Sequence, residues 1–268
     1  MPLFSPRKQY SSLDEELVLP PLRPTTILQP EHFSAPLQGL SYPVALDFSH
    51  ERFKLKSFSL LTQLKPAALA EINLTDNELR SIADLSRFVA LKTLVAGRNA
   101  LGSGDGVALQ LPRLLKLDLH GNRLAEVPPL GGVPLLQVLN LSRNQIAAKW
   151  DELEHCAGLQ ALDASHNKLA WGDGGGGAAA GGGNDEFSRA MAVLGSLRRL
   201  RVLSLRNNPA ADAPGFRSWA LANAPRLELL DGQPVAAERA AAERAAASGS
   251  GGGGTGAGGS SAGALAAG

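Results

Sequence analysis

A single cysteine in 268 residues, Cys156, excludes an internal disulfide framework, and no CxxC or HExxH spacing offers a metal-binding set. Such sparing use of cysteine fits a reducing, cytoplasmic setting. Charge of one sign is missing too: 26 basic and 25 acidic side chains nearly cancel, so no polyelectrolyte character draws the chain to nucleic acid or to an anionic membrane. No run approaches the roughly 18 apolar residues of a membrane span. The opening MPLFSPRKQYSSLDEELVLPP lacks the apolar core of a secretory signal. Aromatic side chains number only 13, as 3 Trp, 2 Tyr and 8 Phe. The expectation is a protein without cofactor or metal that binds neither nucleic acid nor membrane.

Proline and glycine are unevenly spread. Seven of the 17 prolines fall in residues 1–42, which read as an extended N-terminal arm. With Leu17, Val18, Leu19, Leu22, Ile27, Leu28 and Phe33, the arm is too apolar for a spacer. Two courses stay open for it, along the edge of its own domain or along a neighbouring protein. Residues 172–183 read GDGGGGAAAGGG within an insertion spanning 170–187, and 248–268 are almost wholly Gly, Ser and Ala. Such tracts cannot bury enough apolar surface to offset backbone entropy, so a loop and a disordered tail are expected. Neither tract, nor GSGDG at 102–106, matches a phosphate-binding pattern.

Self-similarity organises the rest. The frame LxxLxLxxNxL begins at Leu69, Leu91, Leu114, Leu136 and Leu159, at spacings of 22, 23, 22 and 23. A sixth copy begins at Leu200 after 41 residues, and the glycine-rich insertion accounts for the excess. Looser copies flank these: Leu46, Phe48, Glu51 and Phe53 upstream, Leu227 and Leu230 downstream. In an LxL strand two side chains point one way and the residue between them the other, so stacked copies predict a coil of short parallel strands. An amide where the chain turns inward can donate to and accept from backbone groups that have no strand partner. Asn77, Asn99, Asn122, Asn144, Asn167 and Asn208 are thus expected to form a structural ladder.

This pattern resembles the leucine-rich repeat family, in particular its short class of 22-residue repeats. That resemblance implies an α/β solenoid of about six to eight coils, with a parallel concave sheet and a helical or irregular convex side. Residues 208–240 resemble the C-terminal cap of that class through Asn208-Pro209, Phe216-Arg217, Pro225, Leu227, Leu230, Asp231-Gly232, Val235 and Glu238-Arg239. Phe216 stands where the family usually has tyrosine. Trp219 and Leu221 are expected to cover the last repeat, and the imperfect copy at 43–64, with Pro43 and Glu51 in place of Leu and Asn, to seal the first. The repeat domain with its cap is placed at 43–233, a projecting helix at 234–247 and the tail at 248–268.

The outward positions of the strands are the candidate contacts. On the concave face these are Asn73, Thr75, Arg98, Lys116, Asp118, His120, Asn140, Arg143, Asp163, His166, Ser204 and Arg206; on the C-terminal helix, Arg239 and Arg244. The alternative is that these polar residues are merely solvated. His120 and His166 lie two strands apart, about 10 Å, too far to share one zinc, and His50 falls in the degenerate copy. Cys156 reads as a buried structural thiol, no serine lies in GxSxG, and no catalytic residue is expected. The function expected is that of a non-enzymatic adaptor, monomeric within a larger assembly. Alanine enrichment and polyglycine insertions resemble proteins of GC-rich green-algal genomes, where short-class proteins with this cap serve the flagellar axoneme, so a cytoskeletal, ciliary placement comes first. A phosphatase regulatory subunit, with a nuclear placement, is the alternative, and a ribonucleoprotein subunit the third.

Overall fold

The computed structural model describes residues 26–28, 44–49, 69–170, 183–213 and 215–249. The chain divides into two compact units, Met1–Pro234 and Val235–Gly268. In the first, ten described strands form one sheet in strict chain order: β1 (Thr26–Leu28), β2 (Val44–Asp47), β3 (Leu69–Asn73), β4 (Thr93–Val95), β5 (Lys116–Asp118), β6 (Val138–Asn140), β7 (Ala161–Asp163), β8 (Val202–Ser204), β9 (Leu229–Leu230) and β10 (Gln233–Pro234). All pairings are parallel except the terminal β9–β10 hairpin.

Each coil repeats one set of bonds. Leu114, Leu117, Leu119 and Leu124 are fully buried, as are their counterparts in neighbouring coils; burying one such side chain contributes about 1.5–3 kcal/mol. The leading leucine closes the return segment by donating its N–H to the carbonyl three residues earlier: Leu91 to Phe88, Leu114 to Leu111, Leu136 to Val133, Leu159 to Cys156, Leu200 to Leu197 and Leu227 to Ala224. The acceptors form a buried column, so Cys156 fills the slot that Phe, Leu, Val or Ala fills elsewhere. Returns are short 3-10 helices at Ala83–Arg87, Asp105–Val107 and Trp150–His155, or irregular.

The strand ladder is continuous across the insertion, because Ala161 and Val202 stand in register. The loop expected over 170–187 gives way to helix α1 (Gly183–Ser196), which packs against Trp150–His155; Ala190, Met191, Val193 and Leu194 supply a buried face that the glycine-rich composition before it conceals. Residues 171–182 lie outside the described residues, as do Pro43, His50, Glu51, Phe53 and most of the arm. Of the arm, Thr26–Leu28 adds β1 to the edge of β2.

In helix α2 (Phe216–Asn223) the expected covering residues are corrected: Phe216, Ala220 and, just beyond its end, Ala224 are buried, while Trp219 and Leu221 are only half-buried. Residues four apart share a helix face, and the face that turns inward carries Phe216 and two alanines instead of Trp219 and Leu221. Trp219 stacks on Phe216 with ring centroids 6.4 Å apart and lies over Gly195 of α1. After the last full coil no next strand residue awaits the N–H of Leu205, and the carboxylate of Asp231 takes its place at 2.8 Å. Asp231 also donates its own N–H to the Leu203 carbonyl. In the second unit, α3 spans Ala236–Gly249, so helix replaces the first residues of the expected tail, and 250–268 lie outside the described residues.

Candidate protein-binding face

The asparagine ladder fixes the backbone beneath the candidate face. Asn122 accepts the N–H of Leu101 in the preceding coil at 3.1 Å and donates to the carbonyls of Ala96, Leu119 and His120 at 3.0, 2.9 and 3.3 Å. Asn99, Asn144 and Asn167 repeat this pattern, Asn208 repeats it with Leu169, Ala164 and Leu205, and Asn77 donates to Phe48, Leu74 and Thr75. Each amide therefore ties one coil to the one before it.

Immediately before each ladder asparagine the backbone is left-handed, at Asp76, Arg98, Gly121, Arg143, His166 and Asn207, with φ between 52° and 65°. The conformation lets the N–H of Asp76, Arg98, Gly121, Arg143 and His166 reach the carbonyl of the next coil, Arg98 to His120 at 2.7 Å and Arg143 to Ser165 at 2.9 Å among them. Only one of the six is glycine, although left-handed backbone is costly for other residues.

The central column of the strands is less accessible than alternation suggests. Asp118, Asn140 and Asp163 are 3, 3 and 7 % exposed, and their side-chain oxygens accept the backbone N–H two residues on, in His120, Ser142 and Ser165. Asn73 does the same for Thr75, and Asp47 for Ser49. That N–H falls where the strand ends and has no cross-coil carbonyl, so an oxygen-bearing residue is needed to cap it. The following side chain bonds the same oxygen in three coils, from Thr75 Oγ1, Ser142 Oγ and His120 Nδ1. Asn73, Asp118, Asn140 and Asp163 are thus committed to their own backbone, and a partner would meet their neighbours instead.

His120 shows how closed this arrangement is. Its Nδ1 sits 2.8 Å from Asp118 Oδ1, and the ring occupies the space that a side chain at Gly97 would need, 2.1 Å from a Cβ built there. The hydrogen bond to Asp118 raises the imidazole pKa above its ordinary value, against the opposing effect of burial. His166 is exposed and accepts or donates at 2.9 Å to the Asn207 amide. Among the described residues no group of three His, Cys, Asp or Glu could hold a metal ion, and no helix is long and apolar enough to cross a membrane. The Cys156 thiol is buried and pushed up to about 12 by desolvation, then by Glu152.

What remains accessible is a subset of the expected contacts. Arg98, Arg143, His166 and Arg206 are exposed; Thr75, Lys116, His120 and Ser204 are half-buried. Arg98 pairs with Asp76 at 3.5 Å, and Arg206 donates to the Asp231 carbonyl. Lys116 belongs to a further column that the sequence reading otherwise passed over: Glu71, Thr93, Lys116, Val138, Ala161, Val202 and Leu229 align in register. It changes from polar to apolar along the coil, and Val138, Ala161 and Val202 cluster with Leu229 packed against them. Burial raises the Glu71 carboxyl pKa, opposed by Lys116 and Lys92. The residue one before the second leucine of the frame was the available signal. In the second unit Arg244 is exposed and donates to the Ala240 carbonyl, and Arg239 is half-buried.

Residues 112–169 match the family model described as Leucine rich repeat. With the consecutive parallel strands and amide ladder, that match decides the architecture. The fold is a leucine-rich repeat solenoid. The curated relatives are partial matches. Human Leucine-rich repeat-containing protein 43 is 30% identical over 159 residues, covering 55% of this chain and 21% of that protein. The Geranylgeranyl transferase type-2 subunit alpha of Sus scrofa is 37% identical over 109 residues, covering 39% of this chain and 19% of that protein. The chain thus spans about a fifth of the length of these curated relatives. Among solved structures, internalin C2 from Listeria monocytogenes aligns with a TM-score of 0.47 at 22% identity, over 65% of each chain.

Proposed function

We propose that the chain is a non-enzymatic protein–protein interaction scaffold and that the assembly it serves is the ciliary or flagellar axoneme. The observation that carries the scaffold reading is the repeated leucine-rich coil itself, which holds exposed side chains such as Arg98, Arg143 and Arg206 on a backbone fixed by cross-coil hydrogen bonds. Repeat solenoids build extended binding surfaces in this way. Of the groups that could do acid–base or nucleophilic chemistry, Asp118 and His120 engage each other and the backbone, and the Cys156 thiol lies in the core. The axonemal part is supported by the alanine enrichment and polyglycine insertions, which resemble green-algal proteins, taken together with the resemblance of residues 208–240 to the short-class cap.

Co-purification from isolated flagella tests this reading. Salt-resistant retention of the tagged full chain in the axonemal fraction is expected. Recovery of a phosphatase catalytic subunit, with the tagged protein filling the nucleus, would replace the axonemal placement with the phosphatase-regulator alternative. Turnover of a small substrate by purified protein would end the non-enzymatic reading.

A further inference from the structure

We propose that the loop edge following the strands docks an acidic, extended segment of a partner protein, held by Arg98, Arg123, Arg143 and Lys168. The inference rests on the scaffold reading and adds the chemistry of what is bound.

The near-balance of charge in the whole chain hides a local asymmetry. At the two positions flanking the ladder asparagine, the first complete coil carries Asp76 and Glu78. The next four coils carry Arg98, Arg123, Arg143 and Lys168, one cation each, and no carboxylate. All four are exposed. Asp76 engages Arg98 at 3.5 Å and Lys168 bonds the neutral amide of Gln145. The nearby Glu126 carboxylate is 3.1 Å from Lys149. Arg123, Arg143 and Lys168 therefore have no carboxylate partner among the described residues.

The presentation is rigid. The backbone N–H of Arg123 bonds the Leu101 carbonyl at 2.9 Å and that of Lys168 the Ile146 carbonyl at 3.0 Å, while those of Arg98 and Arg143 reach forward to the next coil. Arg98 and Arg143 hold left-handed backbone at φ 52° and 57°, where Gly121 stands in the coil between them. The Arg98 stem lies over Gly121, with its Cγ 3.2 Å from where a Cβ would sit, while its guanidinium reaches back to Asp76 at 3.5 Å.

With coils about 4.8 Å apart, four cations span about 14 Å, the length of four to five extended residues. A run of Glu or Asp crossing the coils turns alternate carboxylates toward the edge, about two to three over that span, and guanidinium groups take carboxylates in bidentate fashion. Among the described residues at the two flanking positions the one aromatic ring is the His166 imidazole, so the edge lacks the successive stacking platforms of a single-strand RNA site and fits an acidic peptide better.

The test uses the full chain and a fluorescein-labelled peptide carrying about six consecutive glutamates, followed by anisotropy at about 25 and 150 mM salt. The triple variant Arg123→Glu, Arg143→Glu, Lys168→Glu is compared with wild type after circular dichroism confirms an unchanged fold. At least a tenfold loss of peptide affinity in the variant, and weakening of wild-type binding by salt, are expected. Equal affinity of variant and wild type overturns the proposal, as does tighter binding of an oligouridine of matched charge. Retention of the triple variant in the axonemal fraction, with loss on changing Thr93 and Lys116 on the sheet, would remove the acidic segment and leave the scaffold. Retention of both sets would likewise overturn the acidic segment and move the contact off these two surfaces.

Discussion

Replacing Asn122 by alanine isolates the contribution of one ladder amide. Leu119 keeps the Asn144 amide, His120 keeps the Arg98 N–H, and Ala96 keeps the Asn99 amide as donors to their carbonyls. The N–H of Leu101 loses its Asn122 acceptor at 3.1 Å and is left buried. One such orphan costs about 1–3 kcal/mol, and that is the expected loss in urea unfolding followed by circular dichroism. Adding Asn144→Ala takes away the second donor to Leu119 as well as the acceptor for Leu124. The double variant should therefore lose about 1 kcal/mol more than the sum of the single losses. Asn122→Asp keeps an acceptor for Leu101 but turns a carboxylate toward three carbonyls, and should be less stable than Asn122→Ala at neutral pH. A single-variant loss below about 0.5 kcal/mol, with strict additivity in the pair, would refute the shared-acceptor account of the ladder.

Four further outcomes follow from the geometry. Because the folded His120 pKa is raised, its contribution to stability is fully present below the ordinary imidazole value and fades as pH rises through the folded value; urea midpoints of wild type and His120→Gln, measured from about pH 5 to 8, should converge at the alkaline end. Gly97→Ala would drive a methyl against the His120 ring, breaking the contact with Asp118, so the imidazole NMR titration should move back toward its ordinary value. Of the adjacent pair, Gly132→Ala places a Cβ 2.0 Å from the Leu109 carbonyl whereas Gly131→Ala meets nothing closer than 3.6 Å; melting curves should show a loss of about 1–3 kcal/mol for the first and little for the second. Finally, Cys156, with its thiol pushed up to about 12, should resist iodoacetamide at neutral pH and react on unfolding in urea, as mass spectrometry would show.

The coil and its ladder were legible because spacing alone places the leucines and asparagines, and periodic apolar positions survive any local irregularity. Capping by Asp118, Asn140 and Asp163 was not, since alternation says only that a side chain leaves the core, not that the adjacent N–H will claim it. The column through Val138, Ala161 and Val202 escaped because each strand begins one residue before the leucine that marks it. Helix α1 was hidden by the glycine tract overlapping its start, and the buried face of α2 was misjudged because large side chains were favoured over the Phe216, Ala220 and Ala224 series. Single-residue charges were legible, but their concentration on one edge emerges only when coils are stacked.

Asp231 gives the molecule its stopping point. Every earlier turn leaves a donor that only a following turn can meet, so growth could continue indefinitely; at Leu205 a side-chain oxygen supplies what another coil would have supplied. The number of turns is thereby governed by where in the chain that one acid falls. Transplanting the Leu-Asp-Gly corner with the hairpin strand that follows it behind an earlier coil would yield a shorter sheet with the same closed edge, while neutralising Asp231 would weaken the acceptor that holds the Leu205 N–H.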